Sequence, residues 1–520
     1  MSNALAITVA EFGRALTSCR PPNAWGKSIA VAVSGGPDSL GLLWLLRTLY
    51  EKEQIKEPRI IGLTVDHGMR PESSAEAVDV GLFCRDLGIE HQVLKIPWGT
   101  PPYPEVPKPV DFEKTARWAR YWACFQAMQQ AGANALLTGH QADDQLETAI
   151  MRAQSESGLV GMLGMRKLRR FGMGGPHALM QFGERGLHTW MCRPLLTFSK
   201  ARLKATCQAA NVPWMDDPTN IDPTVSKRNA IRATLAELHD EGDNSPWSEK
   251  LKRFQMTDAA RAQLASVLDG VPLTASVTEL TEHMSAVHDQ LDAEVDEFLH
   301  SITTVEPGTP MLVVDCQRIP PSEQVAFGAI LRILRYLSPA PWGHPLAQAQ
   351  RRTERLRHIA ENLWFRKRSP IDGLYPAAPF SGGAVVQWVP SERRSGAPRV
   401  TWMATRQTPQ RNSAPLLFVD LSTNILEAAK GSDPPAPILW DNRFNIHIPT
   451  RFPRNVIRAL EEKQGRVVLG PNSKFFLPMI NFEHGDENTV LAKLDTDGHP
   501  RSYVKPGGWR FEWIRPFNDV

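Results

Sequence analysis

Ile29-Ala-Val-Ala-Val-Ser34-Gly35-Gly36-Pro37-Asp38-Ser39-Leu40 is a short apolar run that ends in Ser-Gly-Gly, followed by a proline and then an apolar helical stretch, Leu40–Tyr50. A strand that is apolar throughout is covered on both faces, which is the mark of a parallel α/β sheet. Proline at the first helical position forfeits no hydrogen bond. Two glycines let successive backbone N–H groups curl round one anion, and the helix dipole favours negative charge at the same point. Ser34 and Ser39 add hydroxyl donors, so Ser34, Gly35, Gly36, Pro37, Asp38 and Ser39 form the expected phosphate cradle. A carboxylate inside a phosphate cradle makes sense beside a divalent cation, so Asp38 is the expected Mg²⁺ ligand. Gly26-Lys27-Ser28 imitates the end of a Walker loop, but the glycine that such a loop needs five residues earlier is Pro21.

From residue 29 to about 232 the same pattern repeats. Apolar runs at Ile29–Val33, Ile60–Val65, Val93–Ile96 and Ala135–Thr138 alternate with helical spacing, as at Glu113–Gln130 and Asp143–Arg152. Trp98–Pro109 holds five prolines in twelve residues and reads as a loop. Beyond about 233, Val277–Ile302 has one long amphipathic period, and Glu323–Leu337 and Leu346–Phe365 are further helix candidates. After Pro370, short strand-like pieces stand among turns: Ala384–Val389, Val400–Met403, Leu416–Val419, Arg466–Leu469 and Tyr503–Val504. The expected division is 1–27 as a leader or first helix, 28–235 as an α/β parallel-sheet, Rossmann-like domain, 236–370 as a helical domain and 371–520 as a β-rich domain.

Composition bounds the function. At 520 residues the chain holds about three domains. A formal charge of +3 excludes a grossly basic nucleic-acid coat protein and leaves local patches to be found. The six cysteines include no CxxC, which argues against a zinc ribbon, an iron–sulfur site and a redox pair. No uncharged apolar run has membrane-spanning length. The start carries Arg14, Arg20 and Lys27 against Glu11, a pattern compatible with an organellar leader and equally with an ordinary first helix.

Further motifs follow in order: Val65-Asp66-His67-Gly68-Met69-Arg70; Glu113 to Tyr121 with Arg117 and Arg120; Leu137-Thr138-Gly139-His140 leading to Asp143, Asp144, Glu147 and Thr148; Arg193-Pro194-Leu195-Leu196; Asp216-Asp217-Pro218-Thr219-Asn220; and Lys227-Arg228-Asn229-Ala-Ile231-Arg232. Three of these clusters close strands, where open α/β sheets bind ligands. The hexapeptide Ser34–Ser39 is the signature of the PP-loop ATP pyrophosphatases, and order, spacing and identity together resemble the tRNA(Ile)-lysidine synthetase family over residues 28–232.

The resemblance implies a PP-loop, adenine-nucleotide-hydrolase-like domain and a two-step ligation. ATP with Mg²⁺ would adenylate the C2 oxygen of the wobble cytidine in an isoleucine tRNA with a CAU anticodon. The ε-amine of free L-lysine would then displace AMP. It assigns Asp38, Arg117, His140, Asp143 and Asp144 to catalysis, and adds Asp66 and His67 to the ATP cradle. Asp38 and Asp143 would bind metal, and Glu147, Arg120 and Arg193 lysine or substrate. For tRNA the candidates are Arg166, Lys167, Arg169 and Arg170, then Arg228 and Arg232, and Arg351, Arg352 and Arg355 in the basic run 351–368. Trp440, Trp509 and Trp513 read as core. The family's glycine-rich stretch is altered here, from Arg152 to Met165, by loss of its first glycine and gain of Glu156. A PP-loop tRNA thiolase and a non-catalytic tRNA-binding homologue are the rival readings, the first weakened by the absence of CxxC. The atypical tail and Arg-bearing start point to a mitochondrial protein, otherwise a cytoplasmic one.

Overall fold

The computed structural model describes residues 4–53, 58–69, 72–174, 180–215, 223–224, 226–240, 245–268, 271, 275–304, 312–344, 347, 353–365, 379–382, 386–391, 401–409, 414–431, 433–472, 476–495, 500–503 and 507–517. The chain divides into two compact units, residues 1–292 and 293–519.

The first unit is the α/β domain. Its strands are β1 (Ser28–Ala32), β2 (Arg59–Asp66), β3 (Glu90–Lys95), β4 (Ala133–Leu137), β5 (Leu168–Arg170) and β6 (Trp190–Cys192). They form one sheet in the order β3-β2-β1-β4-β6-β5, parallel except for the edge strand β5. The helices are α1 (Val9–Thr17), α2 (Pro37–Glu53), α3 (Ser73–Asp86), α4 (Pro109–Ala131), α5 (Ala142–Gln154), α6 (Gly158–Met162), α7 (Lys200–Ala209), α8 (Lys227–Asp240), the four-residue α9 (Trp247–Lys250) and α10 (Asp258–Leu268), and the division between the units falls within α11 (Val277–Ile302).

Alternation along the central strands fills two cores. Ile29 and Val31 of β1 with Ala135 and Leu137 of β4 face one side; Ala30 with Ile61, Leu63 and Leu136 faces the other. The chain leaves β1 toward β2 and β3, then returns to place β4 on the other side of β1. The loops after β1 and β4 therefore diverge at a topological switch point, where doubly wound sheets open a crevice.

α1 is built into this unit. The Thr8 side chain accepts from the Glu11 N–H, and the Glu11 carboxylate accepts from the Thr8 N–H, giving a capping box. Phe12 and Leu16 are buried in the core, and Arg202 pairs with Glu11 at 3.0 Å. Of the two readings of residues 1–27, these contacts are those of a first helix. All six cysteines are buried and free.

Residues 236–292 fall in the same compact unit as the α/β domain, and α10 packs on α5 and α6. In the second unit β7 (Thr303–Thr304) and β8 (Leu312–Asp315) join β9 (Phe380–Gly382), β10 (Val386–Ser391) and β11 (Thr401–Arg406) in one sheet, ordered β7-β8-β11-β10-β9. That pairing links residues about ninety apart and leaves no local trace in sequence. α12 (Glu323–Leu337) matches its expected span; of the helix expected at 346–365, residues 346 and 348–352 lie outside the described residues, and residues 353–365 form α13 (Thr353–Ala360) with a π-turn, Glu361–Phe365.

The rest of this unit contains β12 (Val419–Asp420), α14 (Ser422–Lys430), β13 (Ile438–Trp440), β14 (Phe444–His447), α15 (Arg454–Glu461), β15 (Gly465–Asn472), β16 (Leu477–His484), β17 (Glu487–Leu494), β18 (Pro500–Ser502) and β19 (Arg510–Trp513), in a five-stranded and a three-stranded sheet. Of the strand expected at Leu416–Val419, Leu416 and Leu417 lie in a 3₁₀ turn (Ala414–Leu417) and Val419 opens β12. Tyr503 lies just past β18, and Val504 is outside the described residues. Trp440 and Trp509 are core residues, and Trp513 packs against that core.

Removing the ring of Phe12 should cost about 3–5 kcal/mol. Urea unfolding of Phe12→Ala should show a lower midpoint; an unchanged midpoint would contradict the packing of α1.

Candidate active site

The loop after β1 is held by its own hydroxyls. Val33 N–H donates to the Leu63 carbonyl at 2.9 Å, which ends the strand. Ser34 N–H then donates to Ser39 Oγ at 3.0 Å, and the Ser39 hydroxyl donates to the Gly36 carbonyl at 3.1 Å. Ser39 is buried and its proton is used within the loop, so it stiffens the cradle instead of reaching into it. Ser34 is exposed, and its hydroxyl lies 3.2 Å from Ser39 Oγ. Gly35 has φ +82°, and a Cβ there would lie 2.4 Å from Met215 Cε; Met215 N–H donates to the Gly35 carbonyl at 3.0 Å. Gly36 by contrast has open space beside it.

The loop after β4 lies against this one. A Cβ on Gly139 would sit 3.0 Å from the backbone carbon and oxygen of Asp38, so only glycine permits the contact. Behind it, Gln141 and Asp144 form a capping box at the start of α5. The Asp143 carboxylate accepts from the backbone N–H of Lys200, the first residue of α7, at 2.9 Å.

Asp38 is the anomaly that these contacts create. Its Oδ1 is buried without a hydrogen-bond partner. Burial pushes the carboxyl up to about 7; Asp144 and Asp143 add to the rise, while Lys200 and Arg232 oppose it. Among the described residues no three His, Cys, Asp or Glu side chains form a self-sufficient metal cage. Mg²⁺ uses one or two carboxylates and takes its other ligands from water and nucleotide phosphates, and the orphaned Asp38 oxygen beside Asp143 fits that mode.

Glu147 behaves differently from its expected role as an open lysine contact. It is 1% exposed and is clamped by Arg228 Nε at 2.6 Å and Arg232 Nε at 2.8 Å. Arg228 also reaches Asp144 at 2.7 Å. Arg228 and Arg232, expected to meet tRNA, are thus spent on carboxylates, because α8 packs on α5. Burial pushes the Asp144 carboxyl up against the opposing field of Arg228. Five carboxylates (Asp38, Glu113, Asp143, Asp144 and Glu147) meet three cations (Lys200, Arg228 and Arg232) through these bonds and fields, so the wall is net negative.

Asp66 serves its own loop. It accepts from Gly68 N–H, Ser73 Oγ and Ser74 Oγ, and these bonds, led by Ser73, hold its carboxyl low. His67 lies against Trp98 and Phe112, with Nδ1 buried and unpartnered; burial holds its imidazole down at about 4. His140 bonds Thr138 Oγ1 at 2.8 Å, and burial keeps it neutral. Arg117, Arg120 and Arg193 surround Tyr121, which sequence reasoning quoted but did not use.

The basic patches are reduced. Arg166 pairs with Asp292, and Lys167 with Asp289 at 3.2 Å. Arg170 donates to the Leu187 carbonyl and lies 4.4 Å over Trp190. Arg169 faces Met191 Sδ at 3.5 Å. Arg355 is exposed on α13; Arg351, Arg352, Arg70 and the Asp216–Asn220 motif lie outside the described residues. The altered glycine-rich stretch keeps its shape because Arg152 donates to the carbonyls of Gly161 and Gly164. Lys200, Met215 and Gly139 are the site residues that sequence reasoning missed. Only Ser199, a helix N-cap residue before Lys200, hinted at one of them.

A family model for the PP-loop domain matches residues 10–239. A tRNA(Ile)-lysidine synthase from Bradyrhizobium sp. (strain BTAi1) is 40% identical over 215 residues, 41% of this chain and 53% of that protein. One from Bradyrhizobium diazoefficiens is 38% identical over 220 residues, 42% of this chain and 54% of the other. One from Methylobacterium nodulans is 36% identical over 262 residues, 49% of this chain and 68% of its own length. The matched region thus spans about half the length of the first two relatives.

The raised carboxyl of Asp38 sets a sign. Its folded-state value is above the ordinary one, so the stabilisation from protonating it is complete at low pH and is lost as pH rises through about 7. Asp38→Asn should therefore stabilise the ligand-free protein above that pH by ~1–2 kcal/mol and do little below the ordinary carboxylate range. Thermal melts across pH measure this; a variant that melts lower than the parent at high pH would contradict it.

Proposed function

The chain belongs to the tRNA(Ile)-lysidine synthase family, and from that premise we propose that it joins free L-lysine to C2 of the wobble cytidine in an isoleucine tRNA with a CAU anticodon, using ATP and releasing pyrophosphate and AMP. The observation that carries this reading is Asp38: a carboxylate oxygen buried without a partner, inside a backbone cradle and within the field of Asp143 and Asp144. A carboxyl kept in that state is poised for a cation that arrives with a nucleotide.

In the first step the C2 oxygen of cytidine attacks the α-phosphorus of ATP, and the bond to the β-phosphate breaks. The N–H groups of the Gly35–Gly36 turn and the start of α2 stabilise the departing pyrophosphate. Ser39 holds the turn in shape, and the exposed Ser34 hydroxyl, 3.2 Å from Ser39 Oγ, turns to a phosphate oxygen when nucleotide binds. Asp38 and Asp143 would hold Mg²⁺, which neutralises phosphate charge when bound. In the second step the lysine amine attacks C2, and the bond to AMP breaks. The net negative wall draws the lysine ammonium in. Asp144, its carboxyl raised by burial, accepts the proton that the amine must lose. His140 stays neutral and is oriented by Thr138, so it donates or accepts a hydrogen bond without adding positive charge.

The relatives named above are bacterial, and Arg14, Arg20 and Lys27, which suggested an organelle, are exposed residues on and after a first helix that packs into the core through Phe12 and Leu16. No mitochondrial site of action is proposed. Among the described residues no helix is long and apolar enough to cross a membrane.

The test is nucleoside mass spectrometry on unmodified isoleucine tRNA after incubation with ATP, with and without lysine. Lysidine should form only when all three are present, and Asp38→Ala should slow it ~10²–10³-fold or more. A thiolated base, or RNA binding with no pyrophosphate released, would overturn the assignment.

A further inference from the structure

Four guanidinium groups of the first unit stand together with no carboxylate among the described residues to balance them. Arg117 Nη1 donates to Tyr121 Oη at 3.3 Å. The Arg120 and Arg169 guanidiniums lie 5.6 and 6.0 Å from the centre of the Tyr121 ring. Arg193 is 5% exposed. Its Nη1 donates to the Arg166 carbonyl at 2.8 Å, and its Nη2 faces Met191 Sδ, the same thioether that Arg169 faces. A thioether is a weak acceptor. The Nε atoms of both Arg169 and Arg193 are buried without any partner. None of the four arginines pairs with a carboxylate among the described residues.

Such a cluster is costly as it stands. Burial holds the Arg193 guanidinium down at about 9, with Arg169 and Arg117 adding repulsion. Burial raises the Tyr121 phenol, yet Arg117, Arg169, Arg120 and Arg193 together bring it down to about 7. The Tyr121 ring itself packs edge-on against the apolar rings of Trp118 and Phe171, which carry no charge. The field calls for an anion from outside.

We propose that Arg117, Arg120, Arg169 and Arg193, gathered round Tyr121, form a receptor for a phosphodiester group of the substrate RNA, separate from the cradle that takes the triphosphate of ATP. The proposal rests on the RNA-modifying reading above. Two observations separate the sites. Arg169 lies on β5, three strands from β1 in the sheet order, which is about 14 Å at the usual strand spacing. The charges that act on Asp38 are Lys200, Asp143, Asp144 and Arg232, none of them a member of the cluster, although the cluster's Arg120 does act on His67. His140 feels Arg193, Arg117 and Arg120 from this cluster and Arg228 from the acidic wall, so it stands between the two poles. An RNA strand anchored by its phosphate at the cationic pole would present a neighbouring base toward the cradle.

The experiment measures the affinity of an anticodon-hairpin RNA across a salt series, with ATP affinity measured in parallel, for the parent protein, Arg169→Gln and Arg169→Lys. Arg169→Gln should weaken RNA binding about tenfold or more and lower the salt slope by about one phosphate contact, with ATP affinity unchanged. Arg169→Lys should recover much of the lost affinity, as a gross folding defect would not. Unchanged RNA affinity and slope in Arg169→Gln would overturn the receptor, as would a parallel loss of ATP affinity, which would assign the cluster to the nucleotide. Lysidine formation by the parent separates the two readings. If the parent makes lysidine while Arg169→Gln binds RNA normally, only the receptor falls; if the parent binds no RNA, both fall.

Discussion

A single buried carboxylate oxygen without a partner is the constraint on which the site turns. Asp38 is the second residue of α2, its backbone touches Gly139 from the next loop, and its side chain shares space with Asp143 and Asp144. Folding brings like charges together here and raises one carboxyl toward neutrality. Stability alone would remove such an arrangement; a hydrophobic or amide side chain would suit the ligand-free protein better. Its presence marks a place where binding energy is held in reserve.

Around that point the charges sort into two poles. The acidic wall contains Arg228 and Arg232 as internal struts, which hold Glu147 and Asp144 in position without cancelling the net charge. The cationic pole has no struts of opposite sign among the described residues. The proposed reactants, a metal-bound triphosphate, an ammonium and an RNA phosphate, would need both kinds of surface, a few strands apart, on one sheet. The switch point between β1 and β4 supplies that crevice, and β5 and β6 extend it.

Much of this was legible in the sequence. The apolar runs gave β1 to β4 within a few residues, and Ser34–Ser39 gave the cradle because the chemistry is local to one turn. Asp143 and Asp144 were legible for the same reason. What could not be read was set by distance. The clamp on Glu147 depends on residues more than eighty positions away, and Arg166 and Lys167 look like a phosphate patch until Asp292 and Asp289 arrive from α11. The sheet of the second unit pairs β8 with β11 across a long insertion, so residues 303–315 look like a helical domain's connector in sequence. Ser39 is a finer case: its hydroxyl has the right chemistry for phosphate, and its bond to the Gly36 carbonyl of the same turn is not visible in sequence.

The most direct measurement is to find which bond of ATP breaks. With ATP labelled at the α-phosphate and the RNA supplied without lysine, the account predicts that label moves onto the RNA as an adenylate while unlabelled pyrophosphate is released. Recovery of the label in ADP, with inorganic phosphate as the other product, would contradict it.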